Sequence, residues 1–575
     1  MYLRRTQRRR KDGSVVGYLG LAHNRRVDGV TRAEVLLNLG REDELDVDAL
    51  RRLAASITRF ADGDDGEQPL GVAAGEGDGD GDLEVARSQA LGGVWLLDAL
   101  WRRLGIGEAL AGVLGARRFA TDVERVLFAM VSNRALDPCS KRACSEWARE
   151  DVAITGLEQI DEDHCYRAMD LLVDADTEGK VQEAVFFACA DLLNLEVDLL
   201  FFDTTSTYFE RDEPDPAGEH GEPAFRAYGH SKDHRPDLPQ VIIGLAVTRE
   251  GIPVRVWVWP GNTNDMSVLQ EVKDDMRGWR LGRVVTVVDR GFSSDENLRY
   301  LTRAGGHWIA GERMRDGSPD AQAALSRQGR YQQVRDNLRV KEVRVGDGDG
   351  AKRFIVCHNP AEADRDKQTR DDTITRLQAE LARIDAARAK AKTAKTSAAH
   401  HRAECALRDH PTLGRYVRQP KTGRLLIDRA KIKAEERLDG KYLLSSSDPD
   451  LSAEDVALGY KNLLEAERGF RDLKSTLELR PVFHRVERRI RAHVLLCWLA
   501  LLLIRIIEHE TSDTWRNIRN ELQRLHLGTF TGPAGTCQQR TELTTRQQGI
   551  LRTLKLAEPA RFTRLDPAAA PDPAT

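Results

Sequence analysis

The spacing of apolar residues changes character along the chain. From 87 to 195 it is helical: VWLLDALWRRLGIGEAL, VERVLFAMVSNRAL and VQEAVFFACADLL place large apolar groups at three- and four-residue steps. At 197 the period switches. VDLLFFDTTST is a short apolar run ending in Asp and Thr, the profile of a strand buried on both faces. VIIGLAV (241–247) and IPVRVWVW (252–259) predict a hairpin with Gly251 in its turn. DMSVLQEVKDDMRGW (265–279) predicts a helix, RVVTVVDRGF (283–292) a second buried strand, DENLRYLTRAG (295–305) a helix and HWIAGE (307–312) a strand.

Three antiparallel strands leading into parallel ones through helical crossovers is the order of an RNase H-like core. The expected fold is therefore α/β, with this core preceded by a mainly helical domain. Residues 313–450 interrupt it. Strand-like pieces occur at 339–345, 353–359 and across 424–446, and between them lies a charged, Ala-rich helical stretch from about 365 to 408. In that stretch Ile374, Leu377, Leu381 and Ile384 form a narrow seam, as in a helical hairpin or a short coiled coil, and the stretch is expected to project from the body. Residues 455–477 predict one long helix, and the apolar 493–507 segment follows it. The expected division is 1–60, a basic β/α segment; 61–86, an acidic flexible linker; 87–195, a helical domain that is a candidate for DNA binding; 197–312, the first part of the core; 313–450, the insertion; 451–530, the second part of the core; and 531–575, a tail.

Composition changes this picture little. The chain of 575 residues carries 87 Lys and Arg against 91 Asp and Glu, a net charge of −4. That balance does not exclude a nucleic-acid partner, because phosphate contacts need a local basic patch, and MYLRRTQRRRKD at the N-terminus is one. Eight scattered cysteines form no C-x-x-C pair, which argues against a zinc ribbon or a disulfide scaffold. The N-terminus lacks the apolar stretch of a signal peptide, and VLLCWLALLLI (494–504) is too short to span a bilayer, so the expected location is the cytoplasm, at the nucleoid, with no membrane partner.

Asp203 and Asp289 end two buried-strand patterns. A charge there is costly unless compensated, and two carboxylates on adjacent strands repel unless a cation lies between them. Oxygen-rich sites with few protein ligands suit Mg²⁺. A third acid comes from the long helix. Tyr460, Glu467 and Lys474, seven residues apart, return to one face with Leu464 and Arg471 between them, while Leu463, Ala466, Phe470, Leu473 and Leu477 make a packing stripe. The bland alternatives are helix or turn caps for the two Asp residues and an ion pair with Arg471 for Glu467.

The strings DLLFFDTTST, YGHSKDHRPDLPQ, PGNTND, VVDRGF and Y460…E467RGFRDLK474 followed by LELRPVFH resemble one group of DDE insertion-sequence transposases, across residues 197–505. That group carries a Tyr-Arg-Glu-Lys signature in its last catalytic helix and a mostly β insertion in an RNase H-like core. The resemblance implies catalytic, metal-holding roles for Asp203, Asp289 and Glu467, and DNA contacts by Tyr460 and Lys474, to which Arg471 and Arg290 are added. The signature Arg falls on Leu463, which cannot hold a phosphate, so that contact is either absent or supplied elsewhere, with Arg471 and Arg468 the candidates. Two ions, Mg²⁺ or Mn²⁺, about 4 Å apart would serve an in-line displacement that frees a 3′-OH and then directs it at target DNA. Implied partners are the element's terminal inverted repeats, target DNA and a second copy of the chain once two ends are paired. Two other readings stay open: an RNase H-like nuclease that cuts without joining, and an inactive DNA-binding relic.

Overall fold

The computed structural model describes residues 2–9, 15–27, 30–41 and 84–567, apart from 116–121, 158, 194, 196, 217, 219–222, 280, 282, 316–317, 349–350, 391–392, 422 and 533–534. Two compact units emerge: Met1–Leu195 with Asp472–Thr575, and Glu196–Arg471. Most of the segment read as a linker lies outside the described residues.

In the first unit, strands β1 (Tyr2–Arg9), β2 (Val15–Val27) and β3 (Val30–Arg41) form an antiparallel sheet. A further strand, β4 (Glu84–Ala90), overlaps the end of the expected linker and pairs with a strand near the C-terminus. Helices follow at Gly92–Arg103, Ile106–Leu114, Val123–Leu136, Lys141–Glu150, Glu162–Ala175 and Lys180–Leu193. Several carry local start signals. Asp122, Ser140 and Asp161 each accept backbone N–H groups that the first helical turn would otherwise leave orphaned.

The second unit holds a nine-stranded mixed sheet. Its strands are β5 (Leu199–Tyr208), β6 (Gln240–Val247), β7 (Pro253–Pro260), β8 (Val285–Val288), β9 (His307–Glu312), β10 (Gln332–Arg335), β11 (Leu338–Val345), β12 (Lys352–His358) and β15 (Lys441–Ser446). The short pair β13 (Val417–Arg418) and β14 (Leu426–Ile427) stands apart. Sheet order is β10-β11-β12-β15-β9-β8-β5-β6-β7, parallel only at β5·β8 and β8·β9. The central strands are buried on both faces, which explains why VIIGLAV and LLFF read as unbroken apolar runs and not as alternating ones.

Residues 360–439 leave the sheet between β12 and β15, which are antiparallel neighbours with His358 opposite Lys441. They include a helical hairpin, Pro360–Ala389 and Ala394–Arg408. Its seam is covered from within: Leu377 and Ile384 pack with Leu407, Leu413, Tyr416, Val417 and Leu425. The strand expected across 424–446 is divided. Asp428 accepts the N–H groups of Ala430 and Lys431 and starts a helix at Arg429–Glu436, so only β14 and β15 remain extended.

The helix expected over 455–477 is also divided, into Ala453–Lys461 and Leu464–Ser475. Around Asn462 and Leu463 the bonds tighten to i→i−3: Asn462 N–H to Gly459 (3.0 Å), Leu463 N–H to Tyr460 (3.0 Å) and Glu465 N–H to Asn462 (2.9 Å). Three residues per turn in place of 3.6 shifts the phase, so seven-residue spacing across the break no longer guarantees a shared face. The packing stripe keeps its character: Leu463 is 7% exposed, and Ala466, Phe470, Leu473 and Leu477 are buried.

In the first unit the apolar run 494–504 lies inside a longer helix, Glu487–Thr511, which is long and apolar enough to cross a membrane but is buried inside the protein along its apolar stretch. It packs on the helices Val123–Leu136 and Glu162–Ala175. Its buried Arg505 is held by Asp472 at 2.8 Å and Glu508 at 2.9 Å, as a charge in a core helix must be. The region expected as a tail is ordered into β17 (Gly535–Arg540), a helix at Thr545–Thr553 and β18 (Phe562–Pro567). With β16 (His526–Gly532) and β4, these two strands form a four-stranded sheet. Short alternating Thr/Gln/Gly strands have too few large apolar residues to stand out in the sequence.

Candidate active site

Parallel pairing of β5 and β8 sets Phe202 opposite Val288, so Asp203 and Asp289, one residue on, stand side by side. Asp289 lies just past the end of β8, but Asp203 is in the middle of β5, which runs on to Tyr208 paired with β6 and does not end at the acid as its apolar run implied. Pairing of β8 with β9 sets Val288 opposite Ala310, which puts Gly311 beside Asp289. Leu444 of β15 is opposite Gly311 in turn.

Over this row lies the helix Ala453–Lys461, started by a capping box in which the Ser452 hydroxyl takes the Asp455 N–H (3.1 Å) and donates to the Asp455 carboxylate (2.7 Å). It delivers Tyr460, whose Oη donates to Asp289 Oδ1 at 2.7 Å. A Cβ on residue 311 would fall 2.3 Å from that Oη, so the approach requires glycine. Burial holds the Tyr460 phenol well above its ordinary constant, and the negative charge of Asp289, with a smaller part from Asp203, adds to it. The ring also stacks on Tyr442, centroids 6.2 Å apart.

Asp289, Tyr460 and Glu467 line one cavity of about 530 Å³, together with Arg290, Glu312 and Arg313. Asp203 is half-buried at its edge in the register and is not among the lining residues; its Oδ1 accepts the N–H of Thr204 (2.7 Å). Among the described residues, no three His, Cys, Asp or Glu side chains are gathered tightly enough to hold a metal ion. Asp203, Asp289 and Glu467 offer oxygen donors only, the donor type that suits a hard divalent cation. Glu467 and Arg471 are exposed on Leu464–Ser475, and Lys474 is on its last turn. Glu465, read as solvated, is half-buried with its carboxylate 3.8 Å from Arg468.

Two residues at this end of the sheet escaped the sequence reading. Glu312 ends β9 as Asp203 and Asp289 end their apolar runs, and HWIAGE carried the same signal. Its carboxyl is pushed up by burial while Ser445 Oγ donates to it at 2.6 Å. Lys232, in the loop YGHSKDHRPDLPQ, donates through Nζ to the carbonyl (2.8 Å) and hydroxyl (2.6 Å) of Thr204, and through its backbone to Ser206 (2.9 Å). It thereby fixes the strand just beyond Asp203; no local pattern announces a lysine that acts through a loop closure.

Residues 200–503 match the family described as the transposase DDE domain, and residues 3–69 match the N-terminal domain of IS1634 family transposases. A solved piggyBac transposase synaptic complex with hairpin DNA is similar at 10% identity, with a TM-score of 0.34, over 75% of this chain and 79% of that one. No curated protein matches. Since the first of these families spans more than half of the sequence, the chain belongs to the DDE transposases of insertion sequences, enzymes that cut DNA and transfer the freed strands.

Proposed function

We propose that this transposase works by cut-and-paste transposition, at an RNase H-like core in which Asp203, Asp289 and Glu467 hold two divalent cations, Mg²⁺ or Mn²⁺. The observation that carries the proposal is the pairing register, which sets Asp203 in β5 beside Asp289 just past the end of β8, with Glu467 lining the same cavity as Asp289. When bound, such ions supply Lewis-acid polarisation of the scissile phosphate and charge for its leaving oxygen. The chain's own groups do the rest. Tyr460 orients the Asp289 carboxylate through its 2.7 Å hydrogen bond, a different part from the phosphate contact expected of it. Arg290, which lines the cavity beside Asp289, and Arg471 and Lys474 on the helix that carries Glu467 are the proposed phosphate contacts. Leu463 is buried and takes no part in gripping DNA.

The substrates on this reading are the element's terminal inverted repeats and target DNA, paired by a homodimer. Incubating the purified protein with its flanking ends, a target plasmid and Mg²⁺, then mapping both cleaved and joined strands, tests it. Cut ends with strand joining support transposition; cut ends that never join leave a nuclease; neither product leaves a relic.

A further inference from the structure

A second cavity, of about 910 Å³, opens on the opposite side of the same sheet. Successive strand residues face opposite ways, so Gly311 lies with Asp289 and Tyr460 while Glu312, with its partner Ser445, faces the other side. There the helix Asp295–Thr302 and the strands β9, β12 and β15 enclose the space. The two cavities share Arg290, Glu312 and Arg313, which form a lip at the strand ends.

The lining carries six cations, Arg290, Arg299, Arg313, Arg344, Lys352 and Arg353, against three acids, Asp295, Glu312 and Asp448. Pairing sharpens the excess. Lys352 is 3.2 Å from Asp295, Arg344 and Arg353 share Glu342 at 3.4 and 2.9 Å, and Asp448 is held by Arg283 at 2.9 Å. Glu312 is tied to Ser445. Arg290, Arg299 and Arg313 remain: exposed, and without an ion-pair partner among the described residues. Three unneutralised guanidinium groups on one cavity wall form a surface suited to phosphate oxygens.

We propose that this cavity holds the phosphodiester backbone of a DNA strand that passes over the lip, one or two nucleotides beyond the bond cut at the acids, with Arg299 as a phosphate contact. The inference rests on the reading of the acidic cavity as the place of cutting. Arg299 lines only the second cavity, so its role is separable from the acids.

The test measures binding of full-length wild type and Arg299→Gln to the flanking end DNA over a range of salt, without cleavage being required. A series of duplexes carries one neutral methylphosphonate at successive positions around the cut. The wild type should lose affinity at one or two of these positions. Arg299→Gln should lower the salt slope by about one unit, and the same methylphosphonates should then have no further effect. An unchanged slope, or losses that simply add at every position, overturns the inference and leaves the proposed function standing. Failure of the wild type to bind the end DNA overturns both.

Discussion

Gly311→Ala should disturb the candidate site through one atom, and a double-mutant cycle can isolate it. The added methyl would sit 2.3 Å from Tyr460 Oη and 3.0 Å from Cζ, and the hydroxyl has no free retreat because it is bonded to Asp289 at 2.7 Å. Tyr460→Phe alone removes that bond to a half-buried carboxylate and should cost about 1.5 kcal/mol, the lower end for a charged acceptor. Gly311→Ala alone should cost about 3 kcal/mol, from the same lost bond and from overpacking. With Phe at 460 the closest atom is gone and the bond is already lost. The pair should therefore cost between about 1.5 and 3 kcal/mol together, where simple addition gives about 4.5. Urea denaturation at a common m-value reads the difference. Additivity to within about 0.5 kcal/mol would refute the claim that Gly311 exists to admit the phenol.

Other consequences can be checked independently. Asp289→Asn keeps the shape of the side chain but not its charge, so cleavage should vanish while affinity for the end DNA stays within about twofold, since binding rests on basic groups elsewhere; comparable cutting would sink the assignment. Replacing residues 360–439 by a two-residue Asn-Gly turn should leave the nine-stranded sheet folded, because Asn359 N–H already bonds the Gly440 carbonyl at 2.7 Å across the gap; insoluble or unfolded protein would show that the excursion is needed for folding. That deletion should also impair end pairing if the hairpin meets DNA or a second subunit. Burial, with Lys141, Arg134 and Arg489 nearby, lowers the His484 constant to about 3, and burial also holds that of His493 well below its usual range. Both stay neutral in the fold while their unfolded forms take up protons below about 6.5. Stability of the first unit should thus be full above pH 6.5 and fall between there and about pH 3, and His484→Gln should flatten the slope; an unaltered slope would remove His484 from the account.

In the second unit β5 to β8 were legible because these strands are buried on both faces. Their apolar runs have sharp ends, and those ends carry Asp203 and Asp289. The same logic applied to HWIAGE would have found Glu312. The break at Asn462–Leu463 was not legible, since a tight turn inside a helical pattern leaves the apolar stripe intact, and Leu463 is buried on either reading. Tyr460 illustrates a second limit. Its spacing from Glu467 gave its element, but its partner depends on a glycine 149 positions away that pairing of β8 with β9 brings beside Asp289. The C-terminal strands β16 to β18 were missed because they have no apolar pattern of their own and are held by pairing with β4 and one another.

The central claim, that Asp203, Asp289 and Glu467 hold divalent ions, is tested most directly by iron-directed cleavage of the chain itself. Fe²⁺ replaces the native ion, ascorbate and peroxide generate hydroxyl radicals there, and the broken peptide bonds are mapped by mass spectrometry. The account predicts breaks clustered near residues 203, 289 and 467, suppressed by excess Mg²⁺ and absent in Asp289→Asn. Breaks clustered elsewhere, or an Asp289→Asn pattern identical to that of the wild type, would contradict it.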